Sequence, residues 1–141
     1  MITKLVRIAR ATTLLAVLLS GWVFAQTPST EQSSILVTIT PDRAIVRVGD
    51  TVHCSFVVRN TGDLIVSSLT LEDNSGNGTI ALDKSELARG EEASGEFYYQ
   101  VPKSALPGPF KISVTAVGKD KYNRDVKANA YTEMPIASLF L

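Results

Sequence analysis

Residues 48–63 read VGDTVHCSFVVRNTGD, and the reading of this stretch decides the fold. Gly49-Asp50 forms a turn on the way in, and Asn60-Thr61-Gly62-Asp63 forms one on the way out. Between them Val52, Cys54, Phe56 and Val58 alternate with Thr51, His53, Ser55 and Arg59. Successive side chains of an extended strand point to opposite faces, so this alternation predicts a strand with one face buried. Such a strand needs a second sheet to cover it, and the flanking sequence supplies further strands of the same kind.

On the N-terminal side, residues 35–40 (ILVTIT) predict a first strand stopped by Pro41-Asp42, with 44–48 continuing it after a break. On the C-terminal side, residues 64–73 (LIVSSLTLED) place Leu69 and Leu71 on one face and leave Val66 out of phase. A bulge at Ser67-Ser68 resets that register. Residues 73–78 (DNSGNG) form a dense hairpin-type turn, and 79–82 a short strand. Residues 83–90 contain SELARG, which could form a brief helical turn but is too short to count as a helix. In the next strand, 92–101, Ala93, Gly95, Phe97, Tyr99 and Val101 share the inward face. A Pro-rich connection at 102–109 follows. Strands 110–118 and 125–133 then pair around the loop KDKYNR, with Val114, Ala116, Val126, Ala128 and Ala130 inward. Seven or eight short strands, each with one apolar face, predict an all-β, immunoglobulin-like Greek-key β-sandwich over residues 35–134.

The first 25 residues are of another kind. Lys4, Arg7 and Arg10 precede the apolar run 11–19, and Val23-Phe24-Ala25 offers small residues for a signal peptidase. Residues 1–25 therefore read as a signal peptide, 26–34 (QTPSTEQSS) as a flexible spacer and 135–141 as a C-terminal tail. The signal implies a secreted protein, extracellular or periplasmic, with no membrane span once it is cleaved. Cleavage after Ala25 removes three of the 14 basic residues and none of the 14 acidic ones, leaving a net charge of −3. A mildly acidic domain has no electrostatic reason to hold nucleic acid. Cys54 is the single cysteine, so an intrachain disulfide is impossible and the core alone must hold the domain.

Candidate chemistry is sparse. His53 and Cys54 are the one possible Cys-His pair, but adjacent strand residues point to opposite faces. With a single His in the chain, neither a His-based triad nor a multi-His metal site can be assembled. Asp73, Ser75 and Asn77, followed by Gly78, match the first half of a calcium loop, yet Lys84 stands where a bidentate Glu belongs. The same residues also suit a hairpin turn. The acid pairs Glu72-Asp73 and Glu91-Glu92 lack any sign of a sugar cleft, and Asn77-Gly78-Thr79 is a glycosylation sequon. No cofactor is expected. Tyr98, Tyr122 and Tyr131 are the best candidates for partner contacts, since tyrosine is enriched on recognition surfaces.

The motifs PDRA at 41–44, VGDTVHCSFVVRNTGD, LTLED at 69–73, LARGEEASGEFYYQVP at 87–102 and SVTAVGKD at 113–120 resemble the immunoglobulin-like repeat of bacterial and archaeal surface proteins. This is the repeat termed domain of unknown function eleven, related to adhesion-type Ig-like domains. The resemblance covers 35–133 and implies a non-catalytic interaction or structural module at the cell surface or in the periplasm. The expected partners are other envelope or extracellular proteins, or a second copy of the chain. Two alternatives stand beside it: a carbohydrate or small-ligand binding module, and a surface subunit that self-assembles by strand addition. The chain departs from the family in holding a single copy and in placing Gly95 where the resemblance implies a large apolar residue. That glycine predicts either a gap or a site for another chain's side chain.

Overall fold

The computed structural model of the chain describes residues 31–137. The expected signal peptide, the front of the spacer and the end of the tail lie outside the described residues. Seven strands form two antiparallel sheets: β1 (Ile35–Pro41), β2 (Thr51–Asn60), β3 (Ser67–Asp73), β4 (Gly78–Ile80), β5 (Glu92–Gln100), β6 (Phe110–Lys119) and β7 (Asp125–Met134). One sheet has the order β1-β2-β5, the other β4-β3-β6-β7. This is an immunoglobulin-like β-sandwich. No helix among the described residues is long and apolar enough to cross a membrane.

The alternation that defines β2 is also what closes the sandwich. Val52, Cys54, Phe56 and Val58 have no exposed surface. They meet Leu69, Leu71, Ile112, Val114 and Ala116 from the opposite sheet in one continuous core. The expected bulge exists: Ser68 has φ 53°, and the β3–β6 register shifts between Ser67 and Thr70. It lets Val66, Leu69 and Leu71 all turn inward, although the sequence spacing breaks period two.

Three expectations need correction. Residues 44–48 do not extend β1 within its own sheet. Val46 crosses the sandwich and makes a parallel bridge to Ile136, with its amide donating to Pro135 O at 3.1 Å. The SELARG segment forms no helical turn. Leu87 bridges Val66 in antiparallel fashion and buries its side chain fully, because a core position there outweighs weak local helix propensity. Gly95 leaves neither gap nor socket. The chain between β4 and β5 passes directly over it, so that a Cβ at Gly95 would lie 2.5 Å from Ala81 O. The missing side chain makes room for backbone.

The end of the spacer is likewise held. Asp63 N donates to Gln32 O at 2.7 Å, Thr61 N donates to Ser34 O at 3.0 Å, and Gly62 admits this strap because any Cβ would strike Gln32 O.

Candidate functional site

The side chains with chemical potential lie in four separate places. Cys54 points into the core with no exposed surface. Burial, with the nearby Asp42 charge second, pushes its pKa up to about 11. A thiol held so far above neutral pH and shut off from solvent is no nucleophile. His53, one residue earlier, lies on the outer face. Its Nε2 is 2.7 Å from Glu96 Oε1, and its ring stacks on Tyr98 with centroids 4.6 Å apart and planes 22° from parallel. The direct cross-strand register His53↔Tyr98 makes that stack possible. The pleat separates the thiol from the imidazole.

Asp73 organises the β3–β4 turn. Its Oδ2 accepts hydrogen bonds from Ser75 N and Oγ and from Asn77 N and Nδ2, while Oδ1 accepts the Tyr99 hydroxyl at 3.0 Å. Burial alone would raise this carboxyl's pKa. The donors from Ser75, Asn77 and Tyr99 outweigh burial and hold the pKa below its ordinary value. Asp73, Ser75 and Asn77 are therefore brought together, but chiefly to bond one another and to pin Tyr99. Among the described residues no group of three or more His, Cys, Asp or Glu is placed to hold a metal.

Asp120 does for the β6–β7 loop what Asp73 does for the other hairpin. Its carboxylate has no exposed surface. It accepts from Tyr122 N, Arg124 N, Arg124 Nε and Ser33 Oγ. Burial works against ionisation, but the Arg124 amide and guanidinium, the Tyr122 amide and the Ser33 hydroxyl together hold its pKa at about 2. The same loop captures the end of the spacer. Tyr122 donates its hydroxyl to Glu31 at 2.8 Å, and Lys121 lies 3.4 Å from the same carboxylate. Tyr122 is thus bonded within its own chain.

The three tyrosines do not share a surface. Tyr98 stands on the outer face of the β1-β2-β5 sheet, Tyr131 on the outer face of the opposite sheet beneath Lys111, and Tyr122 in the β6–β7 loop. Tyr98 and Tyr131 are each 64% exposed. Of the three, Tyr98 borders a concavity. A cleft of about 570 Å³ runs beside the C-terminal half of β5, lined by Phe97, Tyr98, Gln100, Pro102, Phe110 and Lys111, with Asn77 at its rim. Sequence reading found Tyr98 but missed the cleft, because Phe110 and Asn77 join it from elements distant in the chain. The alternation Glu96-Phe97-Tyr98-Tyr99, with aromatics on both faces near the end of a strand, was its one local signal.

The chain matches no protein-family model, and no curated protein matches it. Its fold is similar to that of the CARDB domain of a Pyrococcus furiosus protein, crystallised in complex with di-metal ions. The two are 16% identical over 81% of this chain and 97% of that one, with a TM-score of 0.50. The solution structure of the same domain aligns with 15% identity over 77% and 98% of the two chains, at a TM-score of 0.47. The sporulation control protein Spo0M of Bacillus subtilis aligns with 11% identity over 74% of this chain, at a TM-score of 0.44. This chain spans about half of Spo0M, 49% of its length. At these identities the likeness speaks for the sandwich fold alone.

Proposed function

We propose that this chain is a secreted, non-catalytic Ig-like module that recognises other envelope or extracellular proteins, of the same general kind as the domain of unknown function eleven repeats whose motifs it resembles. One observation carries the reading: among the described residues, the candidate reactive groups Cys54, His53, Asp73 and Asp120 are engaged in holding the fold. Cys54 is core, Asp73 and Asp120 organise turns, and His53 pairs with Glu96 and Tyr98. Among the outward side chains, Tyr98 is an aromatic stacked on His53 beside a cleft, which suits recognition better than turnover. Export follows from the N-terminal residues 1–25 as read from sequence.

Affinity capture with the tagged protein from its own envelope fraction tests this. The expected outcome is a saturable partner whose retention falls at least tenfold for Tyr98→Ala. A turnover abolished by changing one named side chain would overturn the proposal.

The cleft also favours a second reading, a carbohydrate or small-ligand site in which Phe97, Tyr98 and Phe110 supply apolar area and Asn77, Gln100 and Lys111 supply polar contacts. A glycan array without a hit removes it.

A further inference from the structure

The cleft beside Tyr98 has one side organised by a single carboxylate. Asp73 accepts from Ser75 N and Oγ, from Asn77 N and Nδ2, and from the Tyr99 hydroxyl. An ionised carboxylate has no proton to give, so each of these partners must donate to it. That requirement fixes what the turn shows to the cleft. Asn77 meets Asp73 with its Nδ2 at 2.9 Å and so turns its Oδ1 away. Ser75 spends its hydroxyl proton on Asp73 at 2.6 Å and keeps its lone pairs, which meet only a long 3.5 Å contact from Asn77 Nδ2. Both side chains are exposed, and both line the cleft. Their donors are used inward, so what they offer a ligand is acceptors.

The rest of the wall is apolar or neutral. Phe97 and Tyr99 meet edge to face with centroids 4.8 Å apart, and half-buried Phe110 and Pro102 complete the aromatic side. Among the described residues no Asp or Glu lines the cleft. The charged residue of the lining, Lys111, holds its ammonium 4.6 Å over the Tyr131 ring, which is not part of the wall. We infer that the cleft binds a sugar without an acidic group, with one face of its ring on Phe97 and Phe110 and its hydroxyls donating to Asn77 Oδ1 and Ser75 Oγ. The inference deepens the ligand-cleft reading and rests on it, naming the class of ligand. A sugar ring carries C–H groups on its faces and hydroxyl donors around its edge, which is the division that the cleft presents. A carboxylate or phosphate would set its lone pairs against those of Asn77 and Ser75, with Asp73 ionised behind them. A purely apolar ring would cover the aromatic wall but strip water from two acceptors without replacing it. The volume of about 570 Å³ lies in the range of small-ligand clefts.

Saturation-transfer and amide-shift NMR of the purified protein test this with glucose, galactose and N-acetylglucosamine as neutral probes. Glucuronic acid supplies the acidic counterpart, and cyclohexanone supplies a ring without a donor. At least one neutral sugar is expected to bind, with a dissociation constant of about 1 mM, and to shift the amides of Ser75, Asn77, Phe97 and Phe110 but not those of β7. Glucuronic acid and cyclohexanone should each bind at least about tenfold more weakly. Asn77→Ala, at an exposed turn position, removes one acceptor and should weaken the sugar about fivefold. The shift map in the wild type stands independently of that variant. Three results would overturn the assignment: no neutral sugar bound, shifts that fall outside the cleft, or glucuronic acid or cyclohexanone bound as well as the sugars. The last of these leaves a ligand cleft standing with another class of ligand, whereas silence from every probe removes the cleft reading too. The reading as a module for protein partners is judged separately, by envelope capture.

Discussion

The thiol of Cys54 is shut inside the sandwich, and so its chemistry is testable without knowing any partner. In the native protein it should resist a disulfide reagent at neutral pH, and it should react in full once urea opens the fold. Rapid reaction of the native thiol would show that the core is not closed as described. Asn60 carries a structural role of a similar kind. Its buried amide donates to Leu64 O at 2.8 Å and Leu87 O at 2.9 Å and accepts from Gly62 N at 2.9 Å. It ties the end of β2 both to the turn that follows and to the distant 81–91 crossover. Asn60→Ala leaves these groups unpaired in the interior and should cost about 1–3 kcal/mol of stability in urea unfolding. In sequence Asn60 belongs to an ordinary Asn-Thr-Gly-Asp turn. Its second partner, Leu87, lies 27 residues away, and no local pattern points to it.

At the scale of elements, alternation was legible wherever a strand has one wet face. β2, β5, β6 and β7 fall within a residue or two of the ends that alternation predicts. The bulge in β3 was legible as well, since Val66 broke phase at a pair of serines. What alternation could not reveal is which strand crosses to the other sheet. Val46 and Leu87 are single apolar residues in polar stretches, buried by long-range bridges rather than by any periodic run. Gly95 misled for the same reason, because the backbone that fills its space comes from Ala81. Gly95→Ala should therefore destabilise the fold by about 1–3 kcal/mol through overpacking, measured by thermal or urea unfolding. A neutral substitution would mean that the crossover does not press on β5.

The β6–β7 loop with its strap yields an element-scale prediction in acid. Asp120 has a folded pKa of about 2, below the ordinary carboxyl value near 3.9. A carboxyl depressed on folding contributes stability above its unfolded pKa and loses it as pH falls through the folded one. Stability should thus decline between about pH 4 and pH 2, and the Asp120→Asn variant should lose part of that dependence. Titrating both proteins with urea across this range checks it, and identical slopes would contradict the role given to Asp120.

For the molecule as a whole, the fold was readable and the recognition surface only in part. Tyr98 stood out as an outward aromatic, and so did Tyr122 and Tyr131. The structure separates them, binding Tyr122 to Glu31 and setting Tyr131 on the far sheet. Only assembly of the sandwich shows that Tyr98 lies beside a cleft. The proposed export makes its own whole-molecule prediction. Trp22 is the only tryptophan, so protein recovered outside the cytoplasm should lack tryptophan fluorescence. Fluorescence that persists would mean the first 25 residues are retained.

The central claim is that this protein is a recognition module acting through Tyr98 and the cleft beside it, and envelope capture with the wild type and the Tyr98→Ala variant tests it most directly. The wild type should retain a saturable partner, and the Tyr98→Ala variant should retain at least tenfold less of it. Equal retention by the two proteins, or no saturable partner for either, would contradict the claim.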